Sequence, residues 1–257
     1  MSAPREIARK HALVTGGGSG VGKAIAEALA AEGVAVTICG RREAALAEVA
    51  KESDRIFAVA ADVTNEADMA ALHEKAEAAR GPFDIVVANA GMAGSAPAHK
   101  TSLADWRRTL DVNLTGAFLT VKPALAGMLA RKTGRIIFIA STAGLKGFAY
   151  VAPYVAAKHG VVGLMRALAA ETAKSGVTVN AVCPGFVETD MLEVSVRRIV
   201  EKTGRSADEA RASLSTTNPQ GRFIQPEEVA SAVLWLCSDA ARSITGQAIS
   251  VSGGETW

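Results

Sequence analysis

The chain has 257 residues, of which 49% are hydrophobic and 21% are charged, and its formal net charge is +2. That length suits one large α/β domain or two small ones, and the composition is that of an ordinary globular protein. Basic residues occur together only in short pairs, such as Arg41-Arg42 and Arg197-Arg198, which argues against a dedicated nucleic-acid binder.

Cysteine usage and the first residues indicate the compartment. Cys39, Cys183 and Cys237 are odd in number and far apart, which fits neither a disulfide framework nor a zinc site. Met1 to Lys10 is polar and lacks the apolar core of a signal peptide, and no apolar run reaches the length of a membrane span. We therefore predict a cytoplasmic protein with reduced thiols, no bound metal and no membrane contact.

The first predicted elements are a strand, a glycine-rich turn and a helix. His11 to Thr15 is a short apolar run, the turn spans Gly16 to Gly22, and Lys23 to Glu32 has helical periodicity. Glycines in this context let the backbone approach a pyrophosphate, and the helix N-terminus supplies N–H donors. A flexible glycine loop is the alternative. The predicted cofactor contacts are Gly16, Ser19, Gly20, Val21 and Gly22.

A second predicted strand, Val34 to Cys39, leads to Gly40-Arg41-Arg42. An NAD site places an acidic residue about twenty residues past the glycines, where it binds the ribose hydroxyls. Guanidinium groups at Arg41 and Arg42 instead suit a 2′-phosphate. The sequence therefore favours NADP, with NAD as the alternative. In that alternative both arginines are exposed residues at the start of the next predicted helix, Glu43 to Glu52.

A third predicted strand, Arg55 to Ala60, leads to Asp62-Val63. We expect these two residues to contact the cofactor, with the Asp62 carboxylate on the adenine amino group. Asp62 could instead be the N-cap of the next helix, a position for which Thr64 and Asn65 compete.

The fourth predicted strand, Asp84 to Ala88, leads to Asn89-Ala90-Gly91. This turn could pass over the cofactor, with Asn89 holding two strands together, although Asn and Gly are also ordinary turn residues. Ser102 to Arg131 is mostly helical in pattern, and Pro123 could kink it. Asn113 lies in its apolar stripe, either to make a hydrogen bond in a buried seam or to hold a water for catalysis.

A tyrosine and a lysine lie one helical turn apart in the next predicted helix, Tyr154 to Ala173. Pro153, directly before it, suits a first helical turn. A free tyrosine titrates near 10, and a neighbouring ammonium favours the phenolate, so we expect Lys158 to lower the pKa of Tyr154. A surface tyrosine beside a solvated lysine is the alternative interpretation. The fifth predicted strand, Arg135 to Ala140, ends at Ser141, whose hydroxyl could bind a substrate carbonyl oxygen.

The remaining pattern completes an alternation of strands and helices. Val177 to Val182 predicts a sixth strand, and the chain then leaves the sheet where a nicotinamide would lie. Met191 to Pro219 is the least regular part and predicts a lid over residues 190–220. Glu227 to Ser238 is helical, and Gln247 to Ser252 predicts a last strand. We therefore predict a single α/β domain with a doubly wound parallel sheet, covered by helices on both faces.

Taken together, these motifs resemble those of the short-chain dehydrogenase/reductase family over nearly the whole chain. The matching residues are Thr15-Gly16-x-x-x-Gly20-x-Gly22, Asn89-Ala90-Gly91, Asn113, Ser141, Tyr154-x-x-x-Lys158 and Pro184-Gly185. The one departure is Ala88, where many members have asparagine. The resemblance implies a Rossmann-type sheet of about seven strands and a homotetramer.

The resemblance also implies residue roles. Tyr154 becomes the general acid/base, Lys158 lowers its pKa and binds the ribose, Ser141 positions the carbonyl, and Asn113 supports a proton-relay water. Cofactor contacts extend to Tyr154, Lys158, Pro184, Gly185, Val187 and Thr189.

The sequences 152–160 and 181–189 look like those of 3-oxoacyl thioester reductases and aromatic-polyketide ketoreductases. The expected reaction is NADP-dependent reduction of a 3-oxoacyl thioester. An NAD-dependent dehydrogenase of a small alcohol, sugar or steroid is the first alternative, and a non-catalytic cofactor-binding regulator is the second. We further expect Arg197 and Arg198 to steer a phosphopantetheine or CoA substrate, and Gly253 to Trp257 to pack at a subunit interface.

Overall fold

The sheet of the computed structural model, which describes residues 7–256, contains seven parallel strands in the order β3-β2-β1-β4-β5-β6-β7. The strands are β1 His11–Thr15, β2 Ala35–Gly40, β3 Ile56–Ala60, β4 Ile85–Ala88, β5 Gly134–Ile139, β6 Val177–Pro184 and β7 Ala248–Val251. The predicted fold class is confirmed, and strand ends differ from the predictions by at most two residues.

Helices cover both faces of this sheet. They are α1 Gly20–Ala31, α2 Glu43–Lys51, α3 Glu66–Arg80, α4 Leu103–Leu110, α5 Gly116–Arg131, α6 Ala152–Thr172, α7 Asp190–Thr203, α8 Ala207–Ser215 and α9 Pro226–Cys237. One apolar core joins the sheet to α3, α5 and α6, and the other joins it to α1, α2 and α9. Strands β1, β4, β5 and β6 are buried along their whole length, which explains their nearly continuous apolar sequences.

The stretch Leu103–Arg131 is helical throughout, with a π-helical segment, Asp111–Thr115, between α4 and α5. It is 29 residues long and its mean hydropathy reaches 1.2, so by length and composition it could cross a membrane, contrary to the sequence-based prediction. That is weak evidence, since core helices meet the same criterion, and α5 packs its buried side chains into the core beside the sheet. Pro123 lies inside α5 on its exposed side.

The segment Met191 to Pro219 is more regular than predicted, because most of it forms α7 and α8. The two helices share a small core of Leu192, Val196 and Ala210. A capping box between Ser206 and Glu209 starts α8, and this signal was present in the sequence. The prediction missed it because neither helix carries a long apolar stripe.

Adjacent strands β1 and β4 are neighbours in the sheet but not in sequence, so the chain reverses its winding between them. In doubly wound sheets, ligands bind beyond the carboxyl ends of the strands at such a reversal. Both glycine-rich turns of the sequence, after β1 and after β4, lie at this point.

Candidate active site

One cavity of about 1040 Å³ opens at this reversal. All the catalytic and cofactor residues predicted from the sequence line it: Gly16, Ser19, Gly20, Val21, Gly22, Arg41, Arg42, Asp62, Val63, Asn89, Ala90, Gly91, Asn113, Ser141, Tyr154, Lys158, Pro184, Gly185, Val187 and Thr189. The volume is at the upper end of the range for small-molecule sites. It therefore has room for two ligands side by side.

The glycine-rich turn after β1 is shaped as a phosphate site requires. Gly16 has φ +68°, and a Cβ atom on Gly22 would overlap the carbonyl oxygen of Gly16, so a larger residue at position 22 would disrupt the turn. The N-cap of α1, Ser19, makes no side-chain hydrogen bond to the helix. The first N–H groups of α1 therefore have no side-chain cap. They lie beside the cavity, where a pyrophosphate could accept hydrogen bonds from them.

Two exposed arginines flank this turn. Arg42 donates a hydrogen bond to the Ser19 hydroxyl over 2.9 Å and is also the N-cap residue of α2. Arg41 lies beside it on the cavity lining. The alternative, that both arginines are exposed residues at the start of a helix, is therefore correct in part. Both side chains are exposed there, yet both also border the cavity.

The Asp62 carboxylate is held by its own turn. It accepts hydrogen bonds from the Thr64 N–H at 3.0 Å and from the Thr64 hydroxyl at 2.8 Å, and the backbone bond is the main cause of its lowered pKa. The N-cap of α3 is Asn65, so the alternative that Asp62 caps this helix is wrong. Asn65 accepts hydrogen bonds from the N–H groups of Ala67 and Asp68.

Asn89 ties the carboxyl ends of β1 and β4 together. Its side chain donates to the Thr15 carbonyl at 2.8 Å, and the Thr15 hydroxyl accepts from the N–H groups of Asn89 and Ala90 at 3.0 Å. These bonds satisfy polar groups that the strand ends would otherwise leave unpaired. The turn to Gly91 is thereby held against the cavity.

Ser141 and Tyr154 are in contact at the cavity. The Ser141 hydroxyl accepts a hydrogen bond from the Ala143 N–H at 3.1 Å, and it lies close enough to the Tyr154 phenol to favour the ionised form of that phenol. Burial raises the pKa of Tyr154, and the nearby Ser141 hydroxyl offsets only part of that rise. Desolvation dominates, so the net pKa of the phenol is raised, and the lowering contribution of Lys158 stays a prediction.

Lys158 lies one turn along α6 from Tyr154, and its Nζ is 5.6 Å from the centre of the tyrosine ring. Only 4% of the residue is exposed, and Nζ donates a hydrogen bond to the Ile139 carbonyl at 2.8 Å. Burial lowers the pKa of Lys158 to about 8. The alternative of a solvated surface lysine is therefore wrong.

The π-helical segment carries Asn113 into the same site. Its amide donates to the carbonyls of Met92 and Thr109, each at 2.9 Å, and accepts from the Met92 N–H at 3.2 Å. A Cβ atom on Gly91 would lie 2.8 Å from Asn113 Oδ1 and 3.7 Å from Lys158 Nζ. Gly91 is therefore the point at which Asn113 and Lys158 approach each other.

The other part of the cavity is mainly apolar and comes from segments far apart in sequence. Its lining includes Met92, Ala93, Ser95–Pro97, Phe148–Val151, Phe186, Met191, Leu192, Ser195, Arg198, Ile199, Lys202, Leu214 and Thr217. The sequence pointed to Met191 to Pro219 as a lid but missed Phe186, which follows Pro184-Gly185 directly. Lys202 lies inside that segment but was not singled out, because the helical periodicity of α7 was not recognised.

The family model for short chain dehydrogenases matches residues 10–199. The chain belongs to the short-chain dehydrogenase family. Its sequence is 42% identical to a Streptomyces violaceoruber protein named as ketoacyl reductase 1 of the granaticin polyketide synthase, over 98% of this chain and 95% of the relative. It is 39% identical to the D-beta-hydroxybutyrate dehydrogenase of Cupriavidus necator, over 95% and 97% of the two chains.

Solved structures agree with this assignment. Actinorhodin polyketide ketoreductase, crystallised as a point variant with NADPH, has a TM-score of 0.93 and 40% identity, over 96% of this chain and 97% of that one. Levodione reductase has a TM-score of 0.90 and 31% identity, over 96% and 98%. This short-chain dehydrogenase is therefore an oxidoreductase that uses a nicotinamide cofactor.

Proposed function

We propose that this short-chain dehydrogenase is an NADP-dependent ketoreductase acting on a 3-oxoacyl thioester. The observation that carries the proposal is the contact between Ser141 and a protonated Tyr154, beside a glycine turn flanked by Arg41 and Arg42. Relatives and a neighbour named as ketoacyl reductases and as a polyketide ketoreductase with NADPH support the thioester and the cofactor.

The residues of this chain have separate roles in such a reduction. Bound NADPH supplies the hydride. Ser141 and Tyr154 place two hydroxyl donors side by side, so that one carbonyl oxygen can accept from both and its developing charge is stabilised. Tyr154 then gives up its phenolic proton to that oxygen. Because burial raises the pKa of Tyr154 above its ordinary value, the phenol carries its proton at neutral pH and can act as the donor that a reduction needs.

Lys158 and Asn113 act behind these hydroxyls. The Lys158 ammonium lies under the tyrosine ring and stabilises the phenolate left after proton transfer. Asn113 is held by three hydrogen bonds. We propose that it holds a water molecule through which a proton returns to Tyr154. Helices α7 and α8 form the proposed lid over the apolar part of the cavity.

The direct test replaces Tyr154 with Phe. We expect kcat to fall by at least about a hundredfold, the scale of a lost general acid, while NADPH binding stays within twofold of the wild type by fluorescence titration. Tyr150, the other tyrosine of the chain, also lines the cavity and gives the matched Tyr150→Phe variant. Full activity in Tyr154→Phe, or an equal loss in both variants, would refute the assignment.

Cofactor choice is tested by titrating the protein with NADPH and NADH. Because a 2′-phosphate would sit between guanidinium groups, Arg41→Ala with Arg42→Ala should weaken NADPH binding about tenfold or more and leave NADH binding nearly unchanged. Equal binding of both cofactors by the wild type would instead support the NAD-dependent alcohol dehydrogenase. The similarity to D-beta-hydroxybutyrate dehydrogenase favours that second candidate.

We also propose that the protein is cytoplasmic and forms a homotetramer of single-domain chains. Gly253 and Gly254 approach Asn218 and Pro219 of the same chain, and Trp257, which was predicted at a subunit interface, lies outside the described residues. A variant that lacks residues 253–257 should therefore be assayed both for activity and for its size in solution. If its size is that of the wild type, these residues do not form a subunit interface. A regulator without catalysis is disfavoured by Asn113, Ser141, Tyr154 and Lys158 all lining the cavity.

A further inference from the structure

Helix α7 lines the cavity from Asp190, beside the glycine turn, to Lys202 and Thr203, which are exposed and form the outer end of the lining. It begins at Asp190, directly after Thr189, whose methyl group would lie 3.1 Å from a Cβ atom on Gly20. At 1.5 Å per residue, Arg198 lies about 12 Å and Lys202 about 18 Å along the axis from Asp190. These two cations are therefore well separated from the place that the cofactor phosphates would occupy.

Arg198 and Lys202 share one face of α7, because they are spaced i, i+4. Both line the cavity, together with the hydroxyl-bearing Ser195 and Thr203 of the same helix. Arg197 is exposed and does not line it. The structure thus separates two neighbouring arginines that the sequence treated as one pair.

Neither cation is neutralised within residues 7–256. No hydrogen bond or ion pair joins Arg198 or Lys202 to another described residue, whereas the nearby Arg211 is bound by both Glu188 and Glu193. Glu201, on the same helix, is exposed and lies outside the cavity lining. The outer end of a largely apolar cavity therefore carries two positive charges with no internal partner.

We propose that Arg198 and Lys202 bind the phosphate of a pantetheine arm, so that the arm lies along the cavity with the 3-oxo carbonyl of its acyl group toward Tyr154. This inference rests on the proposed thioester reduction and names how that substrate is recognised. A guanidinium and an ammonium one turn apart can each donate hydrogen bonds to one phosphate. Free coenzyme A and a carrier protein both present such a phosphate.

The decisive comparison uses two substrates that differ only in that phosphate, 3-oxobutanoyl-phosphopantetheine and 3-oxobutanoyl-pantetheine. In the wild type the phosphorylated substrate should have a kcat/KM about tenfold higher or more, mainly through KM, as expected for charge-assisted hydrogen bonds. The Arg198→Ala, Lys202→Ala double variant should lose that preference. Arg197→Ala is the matched control and should keep it.

A binding titration separates this inference from the proposed function. Protein saturated with NADP is titrated with phosphopantetheine and with pantetheine, so that the cofactor site is filled and no turnover is needed. Tighter binding of phosphopantetheine that disappears in the double variant supports the phosphate site, even if neither thioester is reduced. Reduction of both thioesters with equal KM in the wild type, or an equal effect of Arg197→Ala, overturns it while leaving ketoreduction intact.

The source of the phosphate is decided with the same variants. The 3-oxobutanoyl group is supplied either on coenzyme A or on a carrier protein, and kcat/KM is measured for each at low and high salt. The substrate whose kcat/KM falls more in the double variant is the one that Arg198 and Lys202 recognise. That fall in kcat/KM should become smaller at high salt, because salt screens the charges. No loss with either substrate contradicts the proposal.

Discussion

The side-chain nitrogen of Lys158 donates a hydrogen bond to the main-chain carbonyl of Ile139, 2.8 Å away, and thereby joins α6 to the carboxyl end of β5. Ser141 follows closely on that strand and Tyr154 precedes Lys158 by one helical turn. The contact therefore holds together the two elements that supply the hydroxyl pair. It also keeps the ammonium out of water, which lowers the pKa of Lys158 to about 8.

Replacing Lys158 with Met should make the difference in stability between wild type and variant depend on pH. The lysine titrates near 10.5 when unfolded and at about 8 when folded. Between these values the unfolded wild type binds more protons, so its free energy of unfolding rises with pH, by at most about 3 kcal/mol, and the variant lacks this rise. Denaturant unfolding of both proteins from about pH 7 to about pH 10 measures this rise in the free energy of unfolding. Parallel curves for the two proteins would show that Lys158 is not desolvated.

Gly91→Ala should lower kcat with little effect on NADPH affinity. The new Cβ would lie 2.8 Å from Asn113 Oδ1, and Asn113 cannot move freely because three hydrogen bonds hold its amide. We expect a loss of about tenfold or more, since small displacements of catalytic groups have large effects. Gly94→Ala, where nothing lies within 4 Å of the new atom, is the control in the same loop. Similar activity in the two variants would contradict the proposed role of Asn113.

Arg211→Ala should raise KM for the substrate more than it lowers kcat. Arg211 binds Glu193 of α7 and Glu188 of the preceding turn, 2.6 Å away, and its guanidinium lies 5.1 Å from the Phe223 ring. Without it, α7 and α8 should close less well over the cavity.

Arg222, which is exposed, provides the control for that variant. It pairs with Glu228 through two bonds of 2.6 and 2.7 Å, and neither residue belongs to α7 or α8. Arg222→Ala should leave KM nearly unchanged, and steady-state kinetics with one substrate compare the two. An equal rise in KM would mean that the lid does not depend on Arg211.

Lys146→Met should destabilise the protein by leaving a buried carboxylate unpaired. The Glu255 side chain is 1% exposed, and its Oε1 lies 3.2 Å from Lys146 Nζ in an ion pair whose angles are not those of a hydrogen bond. We expect a loss of about 2 kcal/mol, below the value for a fully buried pair because the lysine remains partly in water.

The double variant Lys146→Met, Glu255→Gln should recover part of that loss, because no buried charge is then left alone. Lys122→Met is the control, since it breaks a comparably short pair, Lys122–Glu66, whose side chains are both more than half exposed. Urea unfolding of the wild type, the single variants Lys146→Met and Glu255→Gln, and the double variant measures the coupling. Additive losses would show that Lys146 and Glu255 are energetically independent.

The layers of the fold and the set of candidate site residues could be predicted from the sequence pattern alone. Short continuous apolar runs such as Ile136 to Ala140 favour buried strands, and their alternation with helical periods indicates a parallel sheet. Parallel strands all end at one edge, so residues that follow them, such as Ser141 and Asn89, meet there whatever the details of packing. This is why all the predicted catalytic and cofactor residues line one cavity.

The ionisation of that site and the charges at its outer end depend on tertiary contacts. The pKa of Tyr154 depends on how completely the phenol is buried, and spacing along a helix carries no information about burial. Likewise Arg197 and Arg198 are adjacent in sequence, but consecutive helical residues point about 100° apart, so only the docking of α7 places Arg198 at the cavity. Burial and docking arise from contacts between distant segments, which local sequence patterns do not encode.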